Sequence, residues 1–165
     1  MQTRPFFIID SGPAPPDRRD KLHSELTFLP ACARKALSFP HGVWMKKAVI
    51  LLGHGSRNVD ADGTIRRVAS EVKGSGGFEI VAYAFLQYMK PGPDEVLEQC
   101  VKEGAEMIVV VPFFLQPGAH VTKDLPALIE KARMQYPDVG ITVTELVGSH
   151  PLMTDIVLEL AKKHN

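Results

Sequence analysis

Short runs of apolar residues alternate along this chain with segments in which apolar residues recur at helical spacing. Four apolar runs predict β-strands, and two of them are apolar almost throughout, which is typical of strands covered on both faces of a parallel sheet. The predicted strands are AVILL at 48–52, FEIVAYAFL at 78–86, MIVVVPFF at 107–114 and VGITVTEL at 139–146.

The segments that follow these strands predict amphipathic helices. In the second of them Val96, Leu97 and Cys100 recur at helical spacing, and Gly104 follows as a C-terminal cap. The resulting order βαβαβαβα predicts a single flavodoxin-like α/β domain with three layers and a four-stranded parallel sheet, which we expect in the order 2-1-3-4. The predicted helices are Val59–Lys73, Pro93–Glu103, Thr122–Tyr136 and Pro151–Lys163.

Residues 1–44 lack this pattern. They contain six prolines and no sustained period, so we predict a poorly structured tail ahead of a domain at 45–165. Met45 opens MKKAVILLGHG, which has the usual form of an N-terminal first strand. Two interpretations stay open: a genuine disordered extension, or a start-site artefact upstream of Met45.

Composition and net charge limit the classes of protein to which this chain can belong. The chain has 165 residues, 45% of them hydrophobic, which suits one globular domain with a real core. The formal net charge is zero, so we expect neither nucleic acid nor a membrane surface as a partner. Cys32 and Cys100 form no disulfide framework, and no apolar run is long enough to span a bilayer; we therefore expect a cytoplasmic protein.

Two histidines follow strands that the predicted order makes neighbours. His54 stands between two glycines just after the first strand, and His120 ends the loop PFFLQPGAH after the third. Ligands of open parallel sheets bind beyond the carboxyl ends of the strands, where strand order reverses. Neutral imidazole is a common ligand of transition metals, so the pair predicts a divalent-metal site. The alternative is that each histidine is only a turn or loop residue.

The glycine-rich turn GHGSR does not match the motifs that bind nucleotides or activate a serine. It lacks the spacings GxGxxG and GxxxxGK[ST], and GxSxG is also missing. We therefore expect no nucleotide cofactor.

Four pieces of sequence, in this order, resemble the class II tetrapyrrole chelatases, and in particular the short-form sirohydrochlorin cobaltochelatases. The pieces are LLGHGSR, AFLQ, VVVPFFLQPGAHVTKDLP and LVGSHP, and the similarity covers about residues 46–163. The resemblance implies a chelatase-like fold, a homodimer, and an ATP-independent insertion of Co²⁺ into sirohydrochlorin, with Fe²⁺ or Ni²⁺ as alternatives. The product would serve cobalamin or siroheme biosynthesis.

The resemblance also implies roles for single residues. His54 and His120 would handle the metal, His54 as principal ligand and His120 as the base that accepts a pyrrole proton, although the two roles could be reversed. Many relatives carry glutamate where this chain has Gln87, and an amide coordinates weakly and cannot act as a base near neutral pH. This difference keeps open a non-catalytic metal or tetrapyrrole carrier on the same scaffold.

Sirohydrochlorin is rich in carboxylates, so a neutral protein needs local cations and hydrogen-bond donors to bind it. Arg57 and Lys123 follow the two histidines by three residues, and we expect them at the starts of helices, where the dipole also favours anions. Ser56, Thr122 and Gln87 are further candidates for substrate binding. The alternative for these residues is that the cations are solvated surface charges and the hydroxyls are helix caps.

Overall fold

The computed structural model describes residues 45–58, 62–116 and 118–163, without the side chains of residues 119–123. The predicted tail at 1–44 lies outside the described residues, so its structure stays a prediction. In the described part of the chain no helix is long and apolar enough to cross a membrane.

Four parallel strands form the sheet in the order β2-β1-β3-β4, as predicted. The central strand β1 pairs with β2 on one side and β3 on the other, and Leu52 lies opposite both Ala84 and Pro112. The last three strands end earlier than their apolar runs, and Phe113 and Phe114, for example, already belong to the loop after β3. The strands are β1 Lys47–Gly53, β2 Ile80–Phe85, β3 Met107–Pro112 and β4 Gly140–Val143.

Each strand is followed by a helix, and two helix starts differ from the prediction by more than one residue. The first helix begins at Gly63 after the N-cap Asp62, and the third begins at Ala119, because Gly118 is still extended and ends the preceding loop. His120 therefore lies in the first turn of a helix by its backbone. The helices are α1 Gly63–Ser75, α2 Pro93–Lys102, α3 Ala119–Gln135 and α4 Leu152–Lys162, with a 3₁₀ turn at Val147–Ser149 before α4.

The two faces of the sheet carry separate apolar clusters. One face packs against α2 and α3, which bury Leu97, Cys100 and Ile129 against the strands. The opposite face packs against α1 through Ile65 and Ala69. This arrangement confirms the three-layer α/β architecture. Gly104 has a φ of +84° directly after α2, which also confirms the predicted cap.

The last helix is less covered than the other three. Five large apolar residues of α4 are about half exposed or more, and no residue of α4 is buried. The start of α4 lines a groove of about 330 Å³ beside the ends of β3 and β4. The exposed apolar residues of α4 are Leu152, Ile156, Val157, Leu158 and Leu160.

Candidate metal site

His54 leaves the sheet at the carboxyl end of its central strand. The last residue of β1, Gly53, pairs with Phe85 at the end of β2, and Leu52 pairs with Pro112 at the end of β3. The side chain of His54 is exposed at this edge. The sequence thus places one imidazole where open parallel sheets bind ligands.

Backbone hydrogen bonds hold the loop after β1 against the loop after β2. The Leu86 N–H donates to the Gly53 carbonyl at 3.0 Å, and the Gln87 N–H donates to the His54 carbonyl at 2.9 Å. Gly55 has a φ of +89°, and a Cβ on it would overlap the carbonyl oxygen of Gln87. Glycine is therefore required at this position, which fixes His54 beside Gln87.

The imidazole of His54 contacts the loop after β3. Its ring meets the Phe114 ring edge to face, with centroids 6.5 Å apart and an angle of 85° between the planes. The loop itself is tied to the central strand, since the Phe113 N–H donates to the Leu52 carbonyl at 2.8 Å. His54 therefore stands between Gln87 on one side and an aromatic residue on the other.

The second predicted ligand, His120, has its backbone in the first turn of α3. Its side chain lies outside the described residues, as do those of Thr122 and Lys123. The meeting of the two imidazoles therefore stays a prediction. Among the described side chains, no three histidine, cysteine, aspartate or glutamate residues are grouped to hold a metal ion.

The loop that leads to His120 is held by the loop before α4. The Gly148 N–H donates to the Phe114 carbonyl at 2.8 Å. A Cβ on Gly148 would overlap the backbone of Leu115, so the two chain segments approach as closely as a glycine allows. This contact fixes the course of the loop after β3 at the same edge of the sheet.

Arg57 and Ser56 do not lie at a helix start, which corrects the prediction. The helix that follows begins at Gly63, and its N-cap is Asp62. Ser56 instead closes a local turn, in which its Oγ accepts a hydrogen bond from the Asn58 N–H at 3.1 Å. The dipole argument for anion binding therefore does not apply to Arg57. It does not apply to Lys123 either, because α3 begins at Ala119 and the backbone of Lys123 lies beyond its first turn.

Arg57 has an aromatic partner that the sequence did not reveal. Its guanidinium carbon lies 5.2 Å from the centroid of the Tyr88 ring. The tyrosine is 60% exposed and has a φ of +62°. Its position directly after Gln87, outside the apolar run of β2, was the available signal. The structure thus brings Arg57, Gln87 and His54 together on two adjoining loops.

His150 has a local role at the start of α4. Its Nδ1 accepts a hydrogen bond from the Leu152 N–H at 3.3 Å, as suits the turn before a helix. It also lines the groove beside the ends of β3 and β4.

The family model and the similar proteins described below lead to the same family. The model of the CbiX family matches residues 48–164. A sirohydrochlorin cobaltochelatase of Methanopyrus kandleri is 35% identical over 136 residues, covering 70% of this chain and 95% of that protein. The chloroplastic sirohydrochlorin ferrochelatase of Arabidopsis thaliana is 30% identical over 117 residues, covering 71% of this chain and 52% of that protein. The chain thus matches about half the length of some relatives and nearly all of others.

A solved structure agrees with this result. The sirohydrochlorin chelatase SirB of Bacillus subtilis subspecies spizizenii, in complex with cobalt, superposes with a TM-score of 0.65 at 31% identity. The superposition covers 72% of this chain and 51% of SirB. The family model spans the whole four-stranded sheet and its helices, and this chain belongs to the CbiX family.

Proposed function

We propose that this protein inserts a divalent metal ion into sirohydrochlorin without using a nucleotide, with Co²⁺ as the first candidate and Fe²⁺ or Ni²⁺ as alternatives. One observation carries the proposal: an exposed imidazole, His54, stands at the carboxyl end of the central strand in a chain of the CbiX family. Relatives named as cobaltochelatases and as ferrochelatases support the same reaction with different metals.

The reaction requires a site that holds the metal and then releases it. The metal must lose part of its water shell, and the macrocycle must lose two pyrrole protons. Two neutral imidazoles bind a first-row ion through nitrogen and leave coordination positions open for the ring nitrogens. In our proposal His54 is the principal ligand, and His120 accepts a pyrrole proton as the metal transfers.

The surroundings of His54 suit a flat, anionic macrocycle. The Phe114 ring beside the imidazole offers an apolar surface, and the Arg57 guanidinium, three residues after His54 in the same loop, offers hydrogen bonds and charge to a carboxylate. Ser56, Gln87, Thr122 and Lys123 stay in the proposal as further substrate contacts.

We further propose a homodimer, because the part of the chain that the structure describes leaves apolar residues of α4 largely exposed. Val157 and Leu160 are 60% and 56% exposed, and contiguous apolar surface of this kind marks protein interfaces. A second copy of the chain would cover it.

A non-catalytic carrier of metal or tetrapyrrole is the second candidate, and Gln87 is the observation that favours it. The residue is bonded through its backbone to His54, where a carboxylate would assist metal binding or proton removal. A neutral amide supplies only weak coordination through its oxygen.

A metal panel with sirohydrochlorin separates the two candidates. Purified protein is mixed with the macrocycle and with Co²⁺, Fe²⁺ or Ni²⁺, and the visible spectrum is followed with and without protein. A chelatase converts many equivalents of macrocycle to the metallated spectrum. A carrier changes the spectrum by at most one equivalent, or binds the metal alone, and that result would refute the catalytic proposal.

A further inference from the structure

We infer that Tyr88 is a positioning residue that holds Arg57 for a carboxylate of the macrocyclic substrate. The inference rests on the proposed function and names a substrate contact within it. It starts from the 5.2 Å approach of the Arg57 guanidinium carbon to the centroid of the Tyr88 ring, which joins the loop that carries His54 to the loop after β2.

The backbone conformation at Tyr88 directs its side chain away from the core and toward solvent. The Met89 N–H donates to the Gln87 carbonyl at 2.7 Å, so Tyr88 is the central residue of a three-residue turn. Its φ of +62° belongs to the left-handed region, which a bulky residue rarely adopts. Glycine or asparagine would fit the backbone with less strain. Tyrosine is therefore an unfavourable residue for this turn, and we infer that its aromatic ring has a function of its own.

The position of the Tyr88 ring indicates what this function is. Tyr88 is 60% exposed and contributes little to the core, in contrast to Tyr83 and Phe85 of the preceding strand β2, which are buried. Its ring lies against Arg57, whose loop is held to the Tyr88 loop by the bond from the Gln87 N–H to the His54 carbonyl. The ring thus acts on a side chain next to the metal site.

Arginine on an aromatic ring is well suited to bind a carboxylate. The guanidinium is planar, keeps its charge at all relevant pH values and binds a carboxylate through two parallel hydrogen bonds. Contact with the ring limits the rotamers of a long side chain, so less freedom is lost when the carboxylate binds. Lys90 also adjoins this turn, but its ammonium lies 3.7 Å from Glu95 and is 85% exposed, so it serves as a charge control.

The test measures binding of metal-free sirohydrochlorin to the full chain by absorbance titration. Tyr88→Asn removes the ring and tolerates the left-handed backbone, whereas Tyr88→Phe keeps the ring. We expect Tyr88→Asn to raise Kd about two- to fivefold, the range that an exposed cation–π contact supplies. Tyr88→Phe and Lys90→Ala should stay close to the wild type. Arg57→Ala should raise Kd at least as much as Tyr88→Asn, and adding Tyr88→Asn to Arg57→Ala should have no further effect.

Two further readouts separate positioning from a general structural role. In the metal-insertion assay, Tyr88→Asn should raise KM and leave kcat unchanged, because the ring acts only on substrate binding. Both Tyr88→Asn and Arg57→Ala should weaken the dependence of Kd on ionic strength.

The outcomes distinguish this inference from the proposed function. Wild-type affinity in Tyr88→Asn, or full additivity with Arg57→Ala, would overturn the role of Tyr88 while leaving the chelatase proposal intact. A loss in Tyr88→Phe equal to that in Tyr88→Asn would also overturn it. Failure of the wild-type protein to bind sirohydrochlorin would overturn both.

Discussion

Gly55 shows how one residue without a side chain fixes the position of His54, the proposed metal ligand. Its φ of +89° suits glycine, and the space that a Cβ would need is filled by the carbonyl of Gln87. Because the neighbouring Gln87 N–H bonds to the His54 carbonyl, any movement here displaces the imidazole from the edge of the sheet.

Gly55→Ala should therefore lower both stability and metal binding. We expect a loss of about 2 kcal/mol or more in the free energy of unfolding, since left-handed strain and overlap with a carbonyl add together. The affinity for Co²⁺ should also fall, because the imidazole of His54 is displaced. Chemical denaturation and a Co²⁺ titration measure the two effects.

Gly74→Ala is the matched control. Gly74 lies in α1, has no positive φ, and a Cβ on it would meet nothing within 4 Å. This variant should be as stable as the wild type or more stable by roughly 0.5–1 kcal/mol, because alanine favours helices. Equal stability of Gly55→Ala and Gly74→Ala would contradict the argument.

Cys100 predicts a pH dependence of stability. Burial raises the pKa of this thiol from 9.0 to about 12, and the charge of Glu103 adds to the effect. The folded state thus holds its proton more tightly than the unfolded state. The contribution is complete below about pH 9 and is lost as pH rises through 12, by up to about 1.4 kcal/mol per pH unit.

Urea denaturation of the wild type and Cys100→Ala at several pH values measures this contribution. Other groups also titrate in this range, so the informative quantity is the difference between the two proteins. The wild type should lose its advantage over Cys100→Ala between pH 9 and 12. A difference that is constant across this range would refute the prediction.

At the scale of elements, loops rather than strands set the geometry of the site. The loop after β1 is bonded to the loop after β2, and the loop after β3 is bonded to the 3₁₀ turn before α4 through the Gly148 N–H and the Phe114 carbonyl. The second pair of loops guides the chain toward His120.

Gly148→Ala should displace the loop after β3 and lower metal insertion. A Cβ at this position would overlap the Leu115 backbone, so the loop or the turn must move. We expect kcat to fall about tenfold or more, because small displacements of catalytic groups are costly. Ser149→Ala, at the next and exposed position, should keep wild-type kcat; an equal loss in both variants would contradict this role.

The elements themselves were largely predictable from the sequence, whereas their ends were not. Apolar runs predicted all four strands, two of them apolar almost throughout as buried parallel strands are, and the flavodoxin-like topology predicted their order. The start of α1 was predicted too early, and that of α3 too late, since both depend on single residues, Asp62 and Gly118. The exposed position of His54 at the edge of the sheet was predictable from its place after β1, whereas its role as a metal ligand stays a prediction. The contact of Arg57 with Tyr88 was not predictable, because it joins loops that only the folded sheet brings together.

At the scale of the whole molecule, the exposed apolar residues of α4 are the feature that packing among the described residues does not explain. Its apolar residues extend from the groove beside β3 and β4 to the end of the helix. Burying them against a second copy would supply apolar area for a stable dimer.

Val157→Glu tests the proposed dimer. A charge in a desolvated apolar interface is costly, so we expect the dimer dissociation constant to rise tenfold or more, an effect of about 1.4 kcal/mol or greater. Sedimentation velocity over a range of concentrations measures it. Lys162→Gln changes the net charge by the same amount at a polar position of α4 and should leave the dimer unchanged. A wild type that is monomeric at every concentration would refute the proposal.

The central claim is that His54 and His120 share one metal ion, and Co²⁺ binding to the wild type, His54→Ala and His120→Ala tests it most directly. Calorimetric titration without macrocycle gives both affinity and stoichiometry, and circular dichroism checks that each variant is folded. The account predicts one Co²⁺ per histidine pair in the wild type and loss of most of that affinity in each variant. Wild-type affinity in either folded variant would show that the two imidazoles do not hold a common ion.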